Sequence, residues 1–165
     1  MSKGIVLIGM PAAGKSTIGK LLAALLSCDF VDSDACIEQQ QGVTLQAIVD
    51  AQGYAAFKRI EEQVLLGIDP EGSVLATGGS VVYSDAAMQH LASSAHIVYL
   101  SVEAETLLAR LENADQRGLA RKPGQSFDSL LAERLPLYRR YAEISINTAG
   151  LTAQQTAETI AERLQ

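Results

Sequence analysis

A chain of 165 residues, 48% of them apolar, is expected to form one domain with a buried core. No apolar run approaches the ~20 residues that cross a bilayer, Met1-Ser2-Lys3 begins no secretory leader, and a net charge of −6 argues against a general nucleic-acid binder. Cys28 and Cys36 are the only cysteines and complete no CxxC or zinc pattern, so they read as reduced core thiols of a cytoplasmic protein.

The first predicted element is the strand GIVLIG, 4–9, and the second a helix over 15–26. The junction GMPAAGKS, Gly9 to Ser16, fits the spacing G-x-x-x-x-G-K-[ST]. Gly9 and Gly14 admit backbone conformations closed to other residues. The amides of Gly9, Met10, Pro11 (which has no N–H), Ala12, Ala13, Gly14 and Thr17 then belong to a concave anion site at a helix N-terminus. Lys15 reaches the β- and γ-phosphates and Ser16 offers an oxygen to Mg²⁺. A nucleoside triphosphate, with Mg²⁺, is therefore the expected ligand.

The next strand, DFVD over 29–32, delivers Asp32 and Asp34 to a carboxyl-end sheet edge, where ligands of doubly wound sheets bind. Two positions apart on extended chain, both carboxylates would face one crevice. Asp32 is then expected toward the Mg²⁺ shell and Asp34 toward an acceptor hydroxyl whose proton it takes. The competing reading is that Ser33 or Asp34 caps the helix predicted over 34–40. Helices over 44–50 and 54–67 follow; in the second, Lys58 either pairs with Glu62 on the surface or faces the crevice to bind an acceptor carboxylate. After the strand SVLAT, 73–77, Gly78 and Gly79 either form a tight turn or let backbone approach a ligand.

A helix over 85–93, a strand over 96–100 and a helix over 103–112 lead to 112–126, which has the composition of a mobile surface loop and contains Arg117. His90 and His96 read as structural. Six of the 13 basic residues, Arg117, Arg121, Lys122, Arg134, Arg139 and Arg140, fall within 117–140, as suits either a small anion or a solvated helix face. A helix over 127–142 holds Arg134 just ahead of Pro136, where a kink or a helix start is expected. A strand over 144–148 and a helix over 153–164, opened by a capping box at Thr152 and Gln155, complete the chain. Strands that are apolar throughout, alternating with helices, predict an α/β fold: a doubly wound parallel sheet with helices on both faces. An arginine carried by a closing loop, Arg117, would neutralise the transferring phosphoryl group and help exclude water.

Taken together, GMPAAGKST, the VDSD pair, the FKRIEE block, ATGGS, the arginine-bearing loop and RLPLYRRYA resemble the shikimate kinase family nearly end to end. The resemblance implies a nucleoside monophosphate kinase-like P-loop fold with a five-stranded sheet, an acceptor-binding helical region at about 33–65 and a lid at about 112–126. It implies transfer of the γ-phosphate of ATP to the 3-hydroxyl of shikimate, a step of aromatic amino-acid biosynthesis. By position, it places Lys15 and Ser16 on phosphates and Mg²⁺, Asp32 in the metal's outer shell, and Asp34 on the acceptor's hydroxyls as base. Gly78 and Gly79 would line the acceptor site, Lys58 and Arg134 would bind the carboxylate, Arg117 would contact the phosphates and Arg110 would pack on adenine. Lys58, Ser80 and Gly118 depart from the family's Arg, Gly and Pro. Two of these lie at the acceptor site, so a kinase of another small hydroxylated acid or polyol is the alternative, and a nucleotide-binding regulatory protein a further one. No nucleic acid or membrane partner is expected, and the chain is expected to be monomeric.

Overall fold

The computed structural model describes residues 2–113 and 124–165. Its centre is β1 (Gly4–Ile8), all five residues buried, which only a strand covered on both faces can be. β1 pairs in parallel with β3 (Ser73–Ala76) through Ile5–Val74 and with β4 (Ala95–Ser101) through Ile5–His96. β2 (Asp29–Asp32) extends the sheet beyond β3, and β5 (Ile144–Asn147) extends it beyond β4. The order is β2-β3-β1-β4-β5, parallel throughout. The chain leaves β1 toward β2 but later crosses from β3 to β4, so the topological switch lies at β1's carboxyl end, where ligands bind in such sheets.

α1 (Lys15–Leu26) packs against α8 (Ala153–Arg163) and the sheet; α8 begins with the expected reciprocal cap between Thr152 and Gln155. α5 (Asp85–Ser94), α6 (Ala104–Asn113) and α7 (Phe127–Tyr141) are the remaining connections around the sheet. The main core gathers Val6, Leu7 and Ile8 with Leu22, Val98, Tyr138 and Ile160. α2 (Ser33–Gln41), α3 (Leu45–Gln52) and α4 (Tyr54–Leu66) share a second, smaller apolar cluster of Ile37, Ile48, Phe57 and Val64. This gives the helical stretch beyond β2 a packing centre of its own.

The predicted elements are all present, with ends displaced by one or two residues, as terminal caps dictate. A 3₁₀ turn at Val81–Tyr83 was not foreseen. Pro136 lies inside α7, which continues through it rather than starting there. His90 Nε2 sits 2.8 Å from the Ile68 carbonyl and His96 pairs with Glu143, so both histidines are structural. Cys28 and Cys36 are unpaired and half-buried. Among the described residues no helix is long and apolar enough to cross a membrane.

Candidate active site

The loop between β1 and α1 has the backbone of an anion cradle. Gly9 (φ +152°) and Gly14 (φ +93°) occupy conformations that side chains resist, and a Cβ at Gly9 would also stand 2.9 Å from the Leu100 carbonyl oxygen. Ala12 sits at φ +67°, a left-handed conformation that an alanine adopts only when its surroundings impose it. Gly14, the N-cap of α1, provides no side chain to cap the helix. The first amides of α1 are thus left to an outside acceptor, with the helix dipole behind them. Lys15 is buried and donates to the carbonyls of Gly9 and Met10, 2.7 Å each. Burial lowers its ammonium to about 8, against the opposing pull of Asp34. A cation tied only to carbonyls and poorly hydrated is ready to exchange those oxygens for phosphate.

Asp32 takes the capping role that the competing sequence reading gave to Ser33 or Asp34. Asp32 is the N-cap of α2: its Oδ1 accepts from the amides of Asp34 (2.9 Å) and Ala35 (3.4 Å). Its Oδ2 accepts from Ser16 Oγ at 2.9 Å. Neither Ser33 nor Asp34 is therefore the cap, and the two aspartates do not share a face of extended chain, because Asp34 lies in the first turn of α2. Capping by Asp32 leaves the Asp34 side chain free of backbone duty. Asp34 Oδ1 is out of solvent contact and has no hydrogen-bond partner. Burial, reinforced by Asp32 and opposed by Lys15, pushes its carboxyl up to about 6.

Gly78 and Gly79 open a tight turn, with Val81 N–H donating to the Gly78 carbonyl at 3.3 Å, and are also sites of close approach. A Cβ on Gly78 would lie 2.7 Å from Glu61 Oε2 and 2.8 Å from Asp34 Oδ1. One on Gly79 would lie 2.7 Å from Arg134 Nη1 and 2.8 Å from Pro11 Cδ. The strip is tethered at both ends: Gly78 N–H donates to Ser33 Oγ (3.3 Å), and Tyr138 O–H donates to the Gly79 carbonyl (2.6 Å). Tyr138 is itself stacked on Tyr99. Arg134, fully buried on α7, is thereby aimed at the same strip. Of the other basic residues at 134–140, Arg139 and Arg140 are exposed, and Arg140 pairs loosely with Asp85 at 3.7 Å. The basic zone is thus part site and part solvated face.

Lys58 does not pair with Glu62, which accepts instead from Ser84 Oγ. It lines a cleft of about 280 Å³ with Glu61, Ser80 and Tyr83. Ser80 lines that cleft without offering a free hydroxyl, since it is buried and donates to Glu61 Oε1 at 2.5 Å. Arg110, exposed on α6, donates from Nη1 to the Ala12 carbonyl at 2.9 Å, tying α6 to the loop. It also borders a second cleft, with Val102, Glu103, Thr148 and Leu151. Thr17 is exposed in the first turn of α1. Arg117 lies outside the described residues.

One charged group passed over in the sequence is Glu61, 2% exposed, with Oε2 unpartnered. Burial pushes its carboxyl up to about 7, against the Ser80 hydrogen bond that stabilises the charged form. Its spacing from Phe57, four residues along α4, marked an inward face and was the available signal. A carboxyl raised from 4.5 to about 7 by folding burdens the native state increasingly as pH climbs through that window, and the full burden holds above it. Glu61→Gln keeps the shape and the Ser80 contact but never ionises. The variant should unfold later than the parent by about 1–3 kcal/mol near pH 8. The difference should shrink as pH falls toward 4.5. Thermal unfolding across that range checks it, and a pH-independent difference would contradict it.

The phosphate-type loop, the carboxylate with a bare oxygen and the Arg134 guanidinium thus meet at one glycine strip, Asp34 at Gly78 and Arg134 with Pro11 at Gly79. The family model described as shikimate kinase matches residues 11–165. The chain belongs to the shikimate kinase family. Shikimate kinases of Halorhodospira halophila and Tolumonas auensis are 41% and 39% identical to it over 166 residues, each covering 98% of this chain, and 93% and 96% of their own. The shikimate kinase of Acinetobacter baumannii, solved in complex with shikimate, superposes with a TM-score of 0.90 at 32% identity, over 99% of this chain and 93% of that one. The five-stranded parallel sheet is thus the family's P-loop, nucleoside monophosphate kinase-like fold.

Proposed function

We propose that this protein transfers the γ-phosphate of ATP to the 3-hydroxyl of shikimate. The observation that carries the reading is the nearness of the Lys15 cradle to the bare Asp34 Oδ1, whose charges act on one another. Residues Gly9 to Thr17 hold the triphosphate, with Lys15 leaving its two carbonyls for phosphate oxygens. Asp34 accepts the proton of the acceptor hydroxyl as that oxygen bonds to the γ-phosphorus. The bond from phosphorus to the bridging oxygen breaks and ADP departs, so the proton ends on Asp34 and the phosphoryl group on the acid. Arg134 and Lys58 bind the acceptor's carboxylate, and the glycine strip lets its ring pack closely.

Mg²⁺ fits the donors present, because the Ser16 hydroxyl and Asp32 carboxylate lie 2.9 Å apart beside the cradle and are hard oxygens. Among the described residues no three acidic, histidine or cysteine groups cluster as a metal cage, as suits an ion held largely by substrate phosphates. When bound, Mg²⁺ would neutralise phosphate charge, with Ser16 as ligand and Asp32 orienting the outer shell. Arg110 and the cleft beside it receive the adenine, and Arg117 is the residue assigned to the phosphates by resemblance. The segment 33–65, with its own apolar cluster, is the acceptor-binding region of a single domain, and 112–126 its lid. The same reading takes the protein as a cytoplasmic monomer.

The test is a coupled ADP-release assay with purified protein across a panel of hydroxy acids that includes shikimate and gluconate. Shikimate is expected to turn over best. A clear preference for another acid would replace the acceptor, and ATP binding without any acid-dependent release would remove the enzyme reading. A second check uses Lys58→Arg. A guanidinium grips a carboxylate through two parallel hydrogen bonds where an ammonium acts as a point charge. The variant should lower KM for shikimate by roughly threefold to tenfold, measured in the same assay. An unchanged or higher KM would indicate an acceptor of different shape.

A further inference from the structure

Lys58 and Arg134 come from different helices, α4 and α7, yet both rest on one aromatic ring. Lys58 Nζ stands 4.9 Å from the centroid of Tyr83 and 4.7 Å from that of Tyr54. Arg134 Cζ stands 5.4 Å from the centroid of Tyr83. Among the described residues Lys58 makes no ion pair, so ring faces are what hold its ammonium. Tyr83 closes the 3₁₀ turn that follows the glycine strip. Its orientation is fixed at the far end, where its hydroxyl donates to Glu133 Oε1 (2.5 Å) and accepts a longer contact from Arg134 Nε (3.4 Å). Burial and the Glu133 carboxylate keep that phenol protonated, pushed up to about 12, so the anchor does not titrate near neutrality.

Two cations converging on one small acid repel each other before it arrives, and a lysine's four-carbon stem has many rotamers to lose on binding. The negative face of an aromatic ring answers both costs, since it attracts a cation without neutralising it. A carboxylate partner would instead have to be displaced by the incoming acid.

We propose that Tyr83 is a positioning residue for the acceptor: it preorganises Lys58 beside Arg134 for the substrate's carboxylate and so sets affinity for the acid. This rests on the reading that those two cations bind that carboxylate. Tyr54 adds a second face for Lys58 and also hydrogen-bonds Arg134 and Tyr83; what sets Tyr83 apart is that its ring faces both cations and its hydroxyl is anchored on α7.

Tyr83→Leu should raise KM for shikimate about tenfold, within the range of a partly desolvated cation–ring contact, with kcat changed less than about twofold and KM for ATP unmoved. Tyr83→Phe keeps the ring and loses the anchor, so its rise should be smaller, about threefold. The deciding measurement is a double-mutant cycle with Lys58→Met, in which Tyr83→Leu should lose most of its effect and keep only the part exerted through Arg134. Independent, multiplicative effects in the cycle would overturn the proposal. A parallel rise in KM for ATP with a lowered melting temperature would do the same, by reducing Tyr83 to a packing residue. Should Tyr83→Leu not fold, Tyr83→Phe carries the same cycle at smaller amplitude. Parent turnover of shikimate is measured first. If the parent prefers another carboxylic acid, the substrate reading fails but the cycle on that acid still decides Tyr83. If it phosphorylates no carboxylic acid, this proposal falls as well.

Discussion

Asp34→Asn is expected to lower kcat by about 100-fold or more while leaving ATP affinity as it is. Asparagine matches aspartate in size and can still hydrogen-bond a hydroxyl, but it cannot take a proton, so the substitution isolates the base from the binding group. The structure removes the most obvious confusion, because Asp32, not Asp34, caps α2, and the substitution costs no helix cap. Asp34 Oδ1 has no partner to lose, and relief of a buried charge should leave the fold at least as stable. A fall in turnover could not then be ascribed to unfolding. The carboxyl, raised to about 6 chiefly by burial, must be ionised to act. In the parent, kcat/KM for the acid should therefore drop as pH falls below about 6. Glu61 nearby is raised to about 7, so the measured midpoint belongs to the pair. Steady-state kinetics against pH, with nucleotide titration as the control, provide the check. Turnover equal to that of the parent would strip Asp34 of its role.

What the sequence made legible is what local chemistry dictates. GMPAAGKS could be read because glycine is required where φ is positive and because a cradle needs a lysine at its rim; Gly9, Gly14 and Lys15 are found so placed. The strand–helix alternation could be read because strands covered on both faces have no polar side, as β1 shows. The capping role of Asp32 could not, since capping depends on where a helix begins, and one residue of displacement moves the cap from the Ser33 hydroxyl to the Asp32 carboxylate. Nor could contacts across long chain separations. Ser80 reaches Glu61 over 19 positions, Arg134 reaches Tyr83 over 51 and Tyr138 reaches Gly79 over 59. Each of these exists only because α4, the 3₁₀ turn and α7 pack about one strip of backbone. Lys58 illustrates the limit most directly: spacing along α4 offers it a surface pair with Glu62, and only the fold shows its ammonium on the rings of Tyr54 and Tyr83 with Glu62 held by Ser84.

That strip supports the second large effect. Gly78→Ala should reduce kcat by about 30- to 100-fold, through geometry rather than through loss of any functional group. Gly78 has no positive φ, so the backbone accepts alanine without strain; what resists is space. The new methyl would meet Glu61 Oε2 at 2.7 Å and Asp34 Oδ1 at 2.8 Å, distances no methyl tolerates. Both obstacles are ends of side chains, and ends yield more easily than backbone. Glu61 is restrained by Ser80, with 2.5 Å between hydroxyl and carboxylate, so Asp34 should give way more readily. A carboxylate moved by about an ångström no longer lines a hydroxyl up with the γ-phosphorus, and misplacement on that scale commonly costs about two orders of magnitude. Stability should fall only modestly, by about 1–2 kcal/mol, as for a tight but adjustable site. ATP should bind as before, because the atoms nearest the new methyl belong to Glu61 and Asp34 and none to the Gly9–Thr17 loop. The two variants then test one another: Asp34→Asn removes the base in place, whereas Gly78→Ala keeps it and moves it. In the double variant the second change should add little to the first, as for residues acting as a unit. Multiplicative losses, or full activity in Gly78→Ala, would mean that Asp34 does its work from some position other than the one beside this glycine.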